Sequence, residues 1–177
     1  MVEKTKEYIF DGDIFQCVVS RRFEADYKNS LINAYRVLRS TNPSPYMVYM
    51  SIDGDEIIST SPETLVKLQN GVLNTFPIAG SRPRGKTDTE DNALAEELIH
   101  DEKELAEHNM LVDLGRNDIG KISEFNSVKV TKYQEVLRYS KIMHICSEVE
   151  GKLKDGLDAF DAIESVSYTH LRAHETR

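Results

Sequence analysis

The amino-acid sequence predicts a mixed fold of short strands, some joined as hairpins, and amphipathic helices, on three observations. Short apolar and β-branched runs are separated by Asp53-Gly54 and Asn70-Gly71, dipeptides that close two-residue hairpins. Leu94, Leu98, Leu105 and Val112 recur at helical spacing over a long stretch. Strand-like runs then return at 128–130 and 142–149.

In order along the chain, residues 3–10 read as a short helix ending at Asp11-Gly12, and residues 14–20 as β-rich. Leu31, Ile32, Tyr35 and Leu38 lie on one helical face that stops before Asn42-Pro43, because the residue preceding proline is driven out of the α region. Residues 46–50, 57–60, 64–68 and 72–75 read as successive strands. One long helix is expected to begin near Asp88 or Thr89, either of which can cap it, and to run toward Gly115 carrying Glu104, Glu107 and His108. Residues 157–166 read as a last helix with Leu157, Phe160 and Ile163 on its apolar face. No internal repeat, low-complexity tract or long linker is visible.

The chain has 177 residues, enough for one domain with a core, and a formal net charge of −8. That balance offers no basic surface for nucleic acid, though a local arginine cluster can still bind an anion inside an acidic protein. Cys17 and Cys146 form neither a disulfide framework nor a zinc spacing, which fits a reducing cytosol, and both read as apolar fillers. The N-terminus is charged and no apolar run approaches the roughly 20 residues that a membrane span needs, so a soluble, cytoplasmic protein is expected.

Two stretches carry the chemistry. The first, from Pro77 to Gly85, reads as a Gly/Pro/Arg turn in which Gly80 and Gly85 allow close backbone approach and Arg82 and Arg84 offer planar forks for a carboxylate or phosphate. The second, from Asp101 to His108, is an acid-histidine cluster in which Glu107 and His108 have metal-ligand or acid-base potential. Together they suit an anionic, metal-assisted substrate.

These two stretches, with Gly12-Asp13-Ile14-Phe15-Gln16, Asn42-Pro43-Ser44-Pro45-Tyr46-Met47, Ser61-Pro62-Glu63 and the run from Met110 to Asp118, resemble the chorismate-binding family that contains anthranilate synthase component I, aminodeoxychorismate synthase and isochorismate synthase. Tyr139-Ser140 and Met143-His144 extend the resemblance, which runs in unbroken order from about residue 2 to about residue 166. It implies an α+β fold, with antiparallel sheets packed face to face and helices outside, and a partial catalytic domain over 1–166. Residues 167–177 do not continue the family pattern and read as a non-native tail. The family's N-terminal regulatory part and its second metal-binding glutamate are not in the chain, so the chain as it stands is expected to be inactive.

The resemblance also implies roles. Magnesium (Mg2+) is the expected cofactor, bound to the ring carboxylate of chorismate and to Glu107, which taken alone reads as a solvated helix charge. Glu63 matches the acid that protonates the departing C4 hydroxyl, and therefore needs to hold a proton near neutral pH. His144 matches the histidine of the later pyruvate elimination; outside the motif it reads as a core residue on a strand. Gly80 and Ser81 resemble the site for the substrate's carboxylate side, with serine in place of the family's usual threonine. Pro45, Tyr46 and Met47 resemble the tryptophan effector segment, although regulation is not expected without the rest of that site.

The branch of the family turns on the nucleophile. Isochorismate synthases carry a lysine at the position of Gln16 and aminodeoxychorismate synthases often carry one at the position of Ala79; neither is lysine here. By that resemblance the nucleophile is ammonia released by a glutamine amidotransferase subunit, and the product is anthranilate, in tryptophan biosynthesis. An aminodeoxychorismate synthase of the folate pathway and a noncatalytic small-molecule binding module remain the alternatives.

Overall fold

The computed structural model describes residues 1–14, 17 and 19–166, in two units, Met1–Thr60 and Ser61–Arg177. In the first unit, helix α1 (Val2–Phe10) stops at Asp11-Gly12 and α2 (Ile32–Thr41) stops at Asn42, as the proline rule requires. Strands β1 (Tyr46–Ile52) and β2 (Asp55–Ser61) form a two-stranded sheet whose turn has positive φ at both Asp53 (51°) and Gly54 (92°). That is the backbone of a type I′ turn, which matches the right-handed twist of the strands it joins. Tyr35 of α2 donates its hydroxyl to the Met47 carbonyl and stacks obliquely on Tyr49, 6.0 Å between ring centres. Glu56 of β2 accepts bonds from Ser30 Oγ, the Leu31 amide and the Tyr49 hydroxyl, so its carboxylate sits at the N-terminus of α2 where the helix dipole favours a negative charge. These bonds, Tyr49's foremost, lower the pKa of Glu56.

The second unit is organised by one strand. β7 (Ile142–Lys152) alternates Met143, Ile145, Ser147 and Val149 on one face with His144, Glu148 and Glu150 on the other. One edge of β7 pairs with β6 (Lys129–Arg138). The other edge is shared end to end by β5 (Ile78–Pro83), which pairs along 142–146, and β4 (Val72–Thr75), which pairs along 149–152, with β3 (Lys67–Gln69) outside β4. All pairings are antiparallel, which bears out the expected α+β class.

Helices α3 (Asp88–Leu98) and α4 (Glu102–Ile122) cover the apolar face. Ala95 and Leu98 meet Met143 and Ile145, while Val112 and Ile119 meet Val149. The buried stripe of α4 is His108, Val112, Gly115, Ile119 and Ile122, a repeat of four and three residues that keeps one face on the sheet. Helix α5 (Ala159–Ser165) buries Ala162 against Leu73 and Ile122 and is closed by a capping box between Asp158 and Asp161.

Several sequence-based expectations are corrected. The single long helix is two, because Asp101 accepts from the amides of Lys103 and Glu104 and so starts a new helix; α3 is capped by Thr87 rather than Asp88 or Thr89. α4 continues past Gly115 to Ile122: this glycine is a contact, where an added Cβ would lie 2.9 Å from Thr75 Cγ2. The Gly/Pro/Arg turn at 77–85 is largely strand β5. No strand occurs among the described residues of 14–20, and Cys17 there is exposed, so the filler reading holds only for buried Cys146. The tail, 167–177, lies outside the described residues.

Gly85 serves packing rather than a ligand. A Cβ on it would come 2.2 Å from the Asp91 amide nitrogen, so α3 rests directly on the Gly85 backbone. Gly85→Ala is expected to cost about 1–3 kcal/mol through overpacking. An unchanged thermal melt would place that contact elsewhere.

Candidate active site

Strand β5 forms one edge of the larger sheet, and a cleft of about 410 Å³ opens along it. Glu63, Gly80, Ser81, Glu107 and His144 all line this cleft, although they come from four separate parts of the chain. Ala79 and Glu104 line it as well. Gln16 lies outside the described residues, and Pro45, Tyr46 and Met47 lie in the first unit at the start of β1.

Each side chain is placed by a local device. The Glu63 amide donates to Ser61 Oγ at 3.2 Å, a serine turn that sets the acid where the chain leaves β2. Glu104 and Glu107 are three residues apart on α4, so they share a helix face beside the cleft. His144 comes from the face of β7 opposite the helices and is cross-strand partner to Ser81. Its Nδ1 lies 3.0 Å from Ser81 Oγ and 3.0 Å from the Gly80 carbonyl. The Tyr139 ring meets it edge-on at 5.8 Å.

The bulge at Gly80 makes this possible. The β5–β7 register shifts between Ala79 and Ser81, and Gly80 adopts φ +71°, which glycine accepts without a Cβ penalty. An alanine Cβ there would also crowd Leu98 Cδ1 (3.1 Å), Ile145 Cδ1 (3.2 Å) and Glu104 Cβ (3.3 Å). The helices therefore close one side of Gly80.

Arg82 and Arg84 do not serve as anion forks. Arg82 binds Glu97 (3.0 Å) and Asp101 (2.8 Å), with Glu104 at 3.9 Å, and is only 18% exposed. Arg84 makes a bidentate pair with Asp91 and donates to the Tyr139 carbonyl. Both guanidiniums are neutralised within the protein and tie β5 to α3 and α4.

His108 also leaves the functional set. It is fully buried, with Nε2 2.6 Å from Ser147 Oγ, which in turn accepts from the Gln134 amide at the β6 bulge. Burial lowers its pKa, so it is neutral at physiological pH, and Nδ1 has no partner among the described residues. Its work is to fix α4 on β7, one residue from Glu107. Cys146 is equally inert: burial, then the negative charges of Glu135 and Glu63, push its thiol up to about 11.

The donors for a metal are acid oxygens, which suit a hard cation such as magnesium. Glu107 has no ion-pair partner among the described residues, while Glu104 has Arg82 at 3.9 Å and Lys103 at 3.7 Å. No group of three candidate ligands occurs among the described residues. No described helix is long and apolar enough to cross a membrane.

Residues 1–167 match the family of chorismate binding enzymes. Anthranilate synthase component 1 of Aquifex aeolicus is 51% identical over 165 residues, 93% of this chain and 33% of that protein. Aminodeoxychorismate synthase component 1 of Bacillus subtilis is also 51% identical over 165 residues, 93% of this chain and 35% of that protein. The crystal structure of anthranilate synthase component I from Streptococcus pneumoniae superposes with a TM-score of 0.83 at 48% identity, over 93% of this chain and 36% of that one. The chain thus spans about a third of the length of these relatives. With the match running along nearly all its residues and the fold agreeing with that of a solved relative, the chain belongs to the chorismate binding enzyme family.

Proposed function

We propose that this chain is part of the large subunit of an anthranilate synthase, a cytoplasmic lyase that converts chorismate and ammonia to anthranilate and pyruvate in tryptophan biosynthesis. The observation that carries the reading is the convergence of Glu63, Glu107 and His144 on one cleft in which Ala79 stands where a nucleophilic lysine would attack. With no amine among the residues lining that cleft, the nucleophile at C2 in this reading is external ammonia. A glutamine amidotransferase subunit is the proposed source of the ammonia, and Pro45, Tyr46 and Met47 are the proposed tryptophan-contacting segment.

In this reading Glu63 gives its proton to the C4 hydroxyl as the C2–N bond forms and water leaves. His144 later takes the ring proton at C2, so that the electron pair aromatises the ring while the enolpyruvyl C–O bond breaks and pyruvate departs. Glu107, with Glu104 beside it, would hold magnesium. When bound, magnesium supplies positive charge at the ring carboxylate of chorismate as negative charge develops in the transition state.

Sequence identity does not separate this reading from the folate-pathway one, since the aminodeoxychorismate synthase relative is as similar as the anthranilate synthase. The product does. A protein completed with the C-terminal part of a relative, given chorismate, ammonia and magnesium, is expected to yield anthranilate on chromatography. Accumulation of 4-amino-4-deoxychorismate instead would assign the chain to the folate branch.

A further inference from the structure

We infer that the Gly80 carbonyl locks His144 in its Nδ1–H tautomer, leaving Nε2 as the proton-accepting nitrogen, so that Gly80 is a positioning residue for His144. The inference rests on the reading of His144 as the base, but its geometry is independent of the reaction. Nδ1 lies 3.0 Å from two oxygens, and only one of them is ambiguous. A serine hydroxyl can donate or accept, whereas a carbonyl can only accept. Were Nδ1 bare, its lone pair would face the Gly80 carbonyl lone pairs at hydrogen-bond distance with no proton between them. A proton on Nδ1 turns the same contact into a bond, and the partner of one ring nitrogen sets the state of the other.

The carbonyl is presented by the backbone, not by chance of rotamer. The bulge between Ala79 and Ser81 and the left-handed φ of Gly80 reorient that peptide relative to a regular ladder. Leu98, Ile145 and Glu104 then pack within 3.1–3.3 Å of where a Cβ would stand, so the bulge is held from the helix side. Tyr139 fixes the ring plane from its edge. With Nδ1–H shared between Gly80 and Ser81, the Ser81 hydroxyl accepts from His144 and keeps its own proton for donation into the cleft. This reconciles two tasks for Ser81: it supports the histidine through its lone pair, and it can bind an anionic group of the substrate through its hydrogen.

The test is nitrogen NMR of the protein labelled with 15N-histidine, recorded over a pH series and read at the alkaline end, where the ring-nitrogen shifts no longer change. His144→Gln identifies the signals. The expected pattern is a protonated Nδ1 and a bare Nε2, unchanged in Ser81→Ala because the Gly80 bond remains. An Nε2–H pattern overturns the inference, as does a pattern that switches on Ser81→Ala, which would make the serine the determinant. Neither result touches the assignment of the product, so failure here is distinct from failure of the anthranilate reading.

Discussion

Replacing Glu63 with glutamine in the completed protein is expected to lower turnover by roughly 10²-fold or more with little change in substrate affinity. Glutamine keeps the shape and the polarity of the side chain but cannot hand a proton to a departing hydroxyl. The structure sharpens the expectation, because Glu63 is held by the Ser61 turn and lines the same cleft as Glu107 and His144. It also borders a second cavity of about 210 Å³, beside Phe76, Pro77 and Leu111. A steady-state measurement of kcat and KM separates the roles. A raised KM with kcat intact would make Glu63 a binding residue, and unchanged kinetics would leave it only a structural one.

Much of this is legible in the local chemistry of the sequence. Both hairpin turns have the positive φ values that Asp-Gly and Asn-Gly promise, with Asn70 at 53° and Gly71 at 77°, and β4 occupies residues 72–75 as expected. The site residues were found through motifs, since periodicity gives no reason to bring Glu63 beside His144; that meeting depends on the long-range pairing of β5 with β7. What was missed has a common cause. Arg82 and Arg84 read from the sequence as anion forks, but their partners, Glu97, Asp101 and Asp91, lie across element boundaries that sequence spacing does not show. Asp101 is also the reason that one helical pattern became two helices, because a capping carboxylate stops and restarts a helix without disturbing its apolar stripe. His108 is ambiguous in the same way: it lies four residues before Val112 on the buried stripe of α4, while its neighbour Glu107 belongs to the motif.

The stability of the larger unit is expected to depend on Asp91 more than on any exposed charge. Its carboxylate accepts from Arg84 Nε (2.7 Å) and Nη2 (3.0 Å), the Gly85 amide (2.8 Å) and Arg138 Nε (3.0 Å), with its side chain only 8% exposed. One side chain thus joins α3 to the end of β5 and to β6. Arg84, then the Gly85 amide, hold its pKa down at about 2, below the ordinary aspartate value near 3.9. Because the folded value is the lower one, this contribution is complete above about pH 4 and is lost as pH falls through 2. Asp91→Ala leaves two guanidiniums and an amide without their acceptor, and is expected to lower the thermal midpoint on the order of 10 °C at neutral pH. Glu97→Gln, which removes the exposed partner of Arg82, should move it little. The gap between Asp91→Asn and the wild-type chain should narrow as pH falls through 2, because Asp91 then takes up in the folded state the proton it already carries in the unfolded one. Equal melting of Asp91→Ala and Glu97→Gln at pH 7 would show that the clamp contributes no more than a surface ion pair.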